Sequence, residues 1–143
     1  MYKKAFIICV LLWVAGNCFA ANIQTTIEIN GVTVNGGLVY VAVYSNENDY
    51  KAENTSVKFI LEPVSAKITY SLELPEGEYV VSVFQDTDND GELKTGRFGM
   101  PSEPVGKTNY NLKGAPGGFN KLKAPVNNSS TKLVVNMGKV RLL

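Results

Sequence analysis

Histidine is absent from the 143-residue chain, and its two cysteines, Cys9 and Cys18, both fall near the start. Those cysteines sit in what reads as a cleavable export signal at residues 1–20. Lys3 and Lys4 precede the apolar run Ala5–Val14, and Cys18-Phe19-Ala20 forms a small-x-small site before Ala21. The run is too short to span a bilayer. A lipoprotein signal would need a small residue ahead of Cys18, where Asn17 stands. The mature chain is therefore expected to be periplasmic or secreted, with no transmembrane segment. Without Cys and His it has no cysteine nucleophile, no histidine base, no Ser-His-Asp triad and no zinc site built on those ligands. Any catalysis would have to use carboxylates, Lys, Tyr or Ser.

Strong net charge is also missing. Removing Lys3 and Lys4 from 14 basic residues leaves 12 against 13 acids, a net charge of −1. The charge is unevenly spread, however: residues 21–92 hold twelve acids and three bases, and residues 93–143 one acid and nine bases. Interleaving of strands from the two halves would neutralise both. The alternative is a basic face for an anionic surface. The bases are scattered and lack a nucleic-acid-binding scaffold, so no nucleic-acid partner is expected.

No long stretch has helical apolar spacing; period-two alternation dominates instead. Ile68, Tyr70, Leu72 and Leu74 alternate with Lys67, Thr69, Ser71 and Glu73, and Ile23–Ile29 behaves similarly. Leu38–Tyr44 is apolar throughout, as in a central strand buried on both faces. Asn30-Gly31 and Asn35-Gly36 between these segments are hairpin signals. Further strands are expected at Val57–Leu61, Tyr79–Gln85, Thr131–Met137 and Lys139–Leu142. The expected architecture is an all-β, antiparallel Greek-key sandwich of about seven strands, immunoglobulin-like or prealbumin-like, in one domain over residues 21–143. Leu74-x-x-Gly77-x-Tyr79 matches a tyrosine corner, which fixes how a chain enters its next strand.

Periodicity stops over 86–123, a segment with seven of the thirteen glycines and three of the six prolines. Phe98, Tyr110 and Phe119 within it argue for an ordered long loop at one end of the sandwich. The loop opens with "DTDNDGELKTGRFG". Asp86, Asp88 and Asp90 fill the first three ligand positions of a calcium loop, Gly91 its turn position and the Glu92 carbonyl its seventh. Lys94 and Arg97 then occupy the ninth and twelfth, where oxygens are needed. Either Glu103 folds back to complete a calcium site, or Lys94 and Arg97 are counterions for a metal-free turn shaped by Asx bonds. Asp86 and Glu103 could also stand as the paired carboxylates of a hydrolase. Phe98, Tyr110 and Phe119, with Lys107 and Lys113 nearby, could form a contact face for an envelope glycan or protein, or could anchor the loop to the core.

Several features occur together in order: Gly37 before "LVYVAVY", the run "LPEGEYVVSVFQDTDNDGELKTGRFGMPSE", Gly106 with Asn109, and Gly118-Phe119 before the last strands. In these the whole mature chain resembles a bacterial family of small exported proteins, domain of unknown function 2141. The resemblance implies a sandwich similar to prealbumin-like or carboxypeptidase-regulatory-like modules, export, and no established activity. The family's usual histidine before the first loop aspartate, its later loop aspartate and its Gly-Tyr-Gly-Phe-Ser run are replaced here by Gln85, Lys94 and "PVGKT". The expected function is a non-catalytic binding or envelope accessory module with 86–123 as its working face and with no cofactor or a calcium ion. A calcium-stabilised module and a carboxylate-dependent hydrolase are the alternatives.

Overall fold

The computed structural model describes residues 20–142. Apart from Ala20, the expected export signal lies outside them. Alternation becomes strand where the pattern is long enough: β1 (Asn22–Asn30), β2 (Val39–Tyr44), β3 (Val57–Leu61), β4 (Lys67–Pro75), β5 (Gly77–Gln85) and β8 (Lys132–Asn136). Strands β6 (Val105–Lys107) and β7 (Ala124–Val126) and helices α1 (Glu47–Lys51) and α2 (Phe119–Leu122) are too short to leave a periodic signal. Strand β6 therefore divides the long segment expected at 86–123. The final strand expected at Lys139–Leu142 does not form. The chain turns away after Gly138, whose N–H and C=O are both paired with Val105 of β6, and only Arg141 makes an isolated bridge, to Lys113.

One sheet has the order β4-β1-β8 and the other β3-β2-β5-β6, with β7 pairing the start of β5. Together they make an all-β sandwich. Its core is built from the inward residues of both sheets, including Ile27, Ile29, Leu133 and Val135 from one and Val39, Val41, Val81 and Val83 from the other. Most pairs are antiparallel, but β1 and β8 run parallel. The turns between β1 and β2 do not make a hairpin, because those strands belong to different sheets. Positive φ does occur at Gly31 and Asn35, yet it serves a crossover between layers.

A second crossover joins β4 to β5. There the Tyr79 hydroxyl donates to the Pro75 carbonyl at 2.7 Å while its ring is buried, giving the tyrosine corner that Leu74-x-x-Gly77-x-Tyr79 foretold. Two buried polar side chains fasten the other ends. Gln85, fully buried, accepts from the Thr33 N–H and donates to the carbonyls of Thr33 and Gly37, replacing strand pairing where β2 begins. Thr108 packs beneath β5 and accepts from the Val81 N–H.

The two charge-segregated halves do interleave. Four of the six ion pairs among the described residues join an acid before residue 93 to a base after it. Glu28 on the central strand of the three-stranded sheet lies 2.9 Å from Lys132 on β8 and 3.2 Å from Lys67 on β4. Bonds from Lys132 and then Lys67 draw its carboxyl from an ordinary 4.5 down to about 2. A depressed carboxylate contributes stability that is present above its unfolded pKa and lost as pH falls through the folded one. Glu28→Gln is therefore expected to flatten the fall in melting temperature between about pH 4.5 and pH 2. Parallel acid limbs for variant and parent would show that these bonds do not hold in solution.

Candidate functional site

Two features stand at the end of the sandwich and on the outer face of the five-stranded sheet. The first is the acidic loop. Asp86 follows β5, is 1 % exposed, and its N–H pairs with the Leu38 carbonyl at 2.9 Å. Gly37 permits this approach, since a Cβ there would lie 1.7 Å from the Asp86 carbonyl oxygen, and its φ of +104° suits glycine. The Asp86 carboxylate accepts from the N–H groups of Asp90 and Gly91, at 3.2 and 2.8 Å. Asp90 closes an Asx turn by accepting from the Glu92 N–H.

Glu103 does fold back. It is 3 % exposed. One carboxylate oxygen accepts from the N–H and hydroxyl of Thr87, at 2.8 and 3.1 Å, and the other from the Lys94 N–H at 3.1 Å. Asp86, Asp88 and Glu103 thus each offer an oxygen within 4.8 Å of the others. Asp90 and Glu92 are not members of that cluster. The Lys94 ammonium donates to Asp88 and lies 3.5 Å from Asp90, so a lysine already supplies positive charge there. Both oxygens of each buried carboxylate are engaged by donors of the chain itself.

The second feature is a groove. On the outer face the register places Tyr40 opposite Ile60 and Phe84, and in the adjoining rung Ala42 opposite Lys58 and Ser82, with Ser82 opposite Lys107. Tyr40 and Phe84 stack at 4.8 Å. The small side chains of Ala42 and Ser82 leave a depression beside them. Tyr44 and Val80, farther along, are covered by Tyr50, Tyr110, Phe119 and Leu122 in a second apolar cluster, which walls one side. Two cavities result, of about 350 and 760 Å³, which share Ser82, Phe84, Leu93 and Lys107. The smaller is bounded by Phe98, Met100, Pro101 and Pro116 and the larger by Tyr40, Tyr44 and Tyr50.

Lys107 stands where the cavities meet. Its ammonium donates to the Ser82 hydroxyl at 2.8 Å and lies 4.9 Å from the centre of the Tyr50 ring. It takes part in none of the six ion pairs. Burial lowers its pKa, opposed in part by the charge of Glu53. Burial also raises the pKa of Tyr44 and Tyr50, keeping both phenols neutral.

A profile for a family described as an uncharacterized protein conserved in bacteria (DUF2141) matches residues 27–134. The chain belongs to that family. The match extends from β1 to β8 and so includes the sandwich, the acidic loop and most of the groove. No curated protein and no solved structure matches the chain.

In this DUF2141 chain the sequence-predicted contact residues divide. Phe98 is 93 % exposed at the tip of a short turn, Arg97–Gly99, and with Lys107 and Tyr110 it lines the smaller cavity. Phe119 lies in the second apolar cluster. Tyr110, mostly buried, also ties its hydroxyl to the Gly114 carbonyl. Tyr40, Ala42, Ser82 and Phe84 were not among the expected contacts. For Tyr40 and Ala42 the one signal was the segment "LVYVAVY", apolar on both faces although β2 has only one face in the core; Ser82 and Phe84 on β5 had none.

Asp86 and Glu103 line neither cavity, and their geometry suits fastening. Glu103→Gln would set an amide nitrogen against the N–H of Thr87 or Lys94 in a part-buried bond to a buried side chain. It is expected to cost about 1–3 kcal/mol in denaturant unfolding. Lys94→Ala removes a half-exposed ion pair and is expected to cost less than about 1 kcal/mol. The reverse order would show that charge pairing, not amide capture, holds the loop.

Proposed function

We propose that this protein is an exported, non-catalytic binding module of the bacterial envelope, whose working surface is the groove on the outer face of the five-stranded sheet. The observation that carries this reading is a concavity of small-molecule size, lined largely by aromatic and aliphatic side chains, with few polar groups in its smaller part and Lys51, Glu53 and Lys58 beside its larger one. Ligand sites have that character and span roughly 300–1,000 Å³. The acidic loop serves the groove by holding Leu93 and the Phe98 turn as its wall. A hydrolase reading has no support from the site: the paired carboxylates are buried and saturated by backbone donors away from either cavity.

Purified protein is expected to bind a neutral apolar dye such as Nile red, with blue-shifted emission. Ser82→Trp, which fills the shared floor, should abolish the shift while leaving the melting temperature within a few degrees of the parent. Emission equal to that of dye in buffer alone would end the groove reading. The calcium-stabilised alternative is favoured by the carboxylate spacing and opposed by the Lys94 ammonium at Asp88. Calcium, compared with chelator, is expected to leave the melting temperature unchanged; a rise of several degrees would restore that alternative.

A further inference from the structure

Resting on the groove reading, we infer that the smaller cavity takes an apolar molecule bearing a single anionic head, a carboxylate or phosphate monoester, with the head at Lys107 and Ser82. The side chains around this cavity are overwhelmingly apolar, including Phe84, Leu93, Phe98, Met100, Val105 and Leu142. Among the described residues Lys107 is the one charged group that lines it, and Ser82 and Tyr110 are the other polar side chains. The Tyr110 hydroxyl is already committed to the Gly114 carbonyl. The point at which a polar head can be received is therefore narrow.

The chemistry at that point is cationic. An ammonium has three donors, and among the described residues this half-buried one has a single hydroxyl acceptor and an aromatic face. Even partial burial of a charge without a counterion in contact is unfavourable, and an opposite charge arriving beside it relieves the cost. Lys58, at the far end of the same rung, is exposed and lies beside the larger cavity only. Glu53 borders that larger cavity as well. Both lie outside the lining of the smaller one, although the Glu53 charge is felt at the Lys107 ammonium without touching it.

A neutral sugar face fits less well. Tyr40 and Phe84 stack on each other, so their ring faces are partly spent. The apolar enclosure beyond Lys107 suits a chain or a compact hydrocarbon body, which supplies affinity without direction while the head fixes orientation.

The test titrates purified protein calorimetrically with octanoate, octyl phosphate, octyl glucoside and acetate, with Nile red displacement in parallel. Octanoate or octyl phosphate is expected to displace the dye and bind at least ten-fold more tightly than octyl glucoside, and acetate is expected not to displace it. The stronger of the two anions identifies the head group. Lys107→Met should weaken that anion roughly ten- to a hundred-fold, the value of a hydrogen bond to a charged group. Lys107→Arg should restore most of it, and both variants should keep the dye. Equal binding of octyl glucoside and octanoate, or an unchanged octanoate affinity in Lys107→Met, would overturn the anionic head while leaving the groove reading intact. Dye binding that neither anion displaces would overturn it too. Dye binding that falls as the protein dimerises would assign the surface to a second copy and also overturn it. Loss of dye binding in the parent protein would instead remove the groove reading itself.

Discussion

The capture of backbone amides by the Glu103 carboxylate is the constraint on which the functional end of the molecule depends. Its two oxygens reach Thr87, just beyond β5, and Lys94, where a short excursion through Phe98 begins. The chain between Lys94 and Ser102 is closed by paired backbone bonds, Ser102 N–H to the Lys94 carbonyl and Gly96 N–H to the Met100 carbonyl. Glu103 is followed at once by Pro104, whose carbonyl accepts from the Gln85 N–H, and then by β6. One buried carboxylate thus sets both the wall that carries Leu93 and Phe98 and the register in which Lys107 arrives opposite Ser82. Because buried polar groups left unmatched are expensive, such a node is satisfied in full or not at all. Asp86 completes it from the opposite side of the turn.

Register alone does not bring Lys107 to its place. Strand β6 must also press against β8, and Gly106 is what allows it: a Cβ there would lie 2.6 Å from a Val135 methyl and 2.8 Å from the Asn136 carbonyl oxygen. With Gly106 turned toward β8, its neighbours Val105 and Lys107 point outward, as alternation along a strand requires. A lysine so placed is costly to the fold. Some acids and bases of the two halves do find one another, as Glu28 does with Lys132 and Glu78 with Lys123. Lys107 is in none of these pairs and, half-buried, has a hydroxyl and a ring as its partners among the described residues. Groups that weaken a fold in this way concentrate where a ligand is to be met.

How much of this was legible in the sequence depended on whether a feature is local. The long strands and the tyrosine corner follow from spacing along the chain, whereas the fold-back of Glu103 was one of two alternatives that spacing left open. Hairpin signals at Asn30-Gly31 and Asn35-Gly36 gave the right φ at Gly31 and Asn35 and the wrong partner, because turn chemistry specifies a reversal but not which sheet receives the next strand. Strands β6 and β7 were invisible because three residues cannot display a period. Phe119 looked like a contact residue and proved to be a buried anchor, since a lone aromatic in a loop carries no sign of which way it faces.

The groove was illegible for a different reason. Ala42, Ser82 and Lys107 are separated by 40 and 25 residues in the chain, and only the register of three strands makes them neighbours. What the sequence did show was an excess of apolar residues on β2, read as a strand covered on both faces. That excess is real, but its second face is only half covered: Tyr44 lies under Tyr50, while Tyr40 and Ala42 remain open to the cavity. An apolar sheet face beyond what the core and the short helices can cover has to be shielded by the chain or by something else. Here α1 and α2 shield one end, the acidic loop overhangs the other, and two small residues keep the middle low. That arrangement leaves concave space where larger side chains would have filled it, with a cation at its centre.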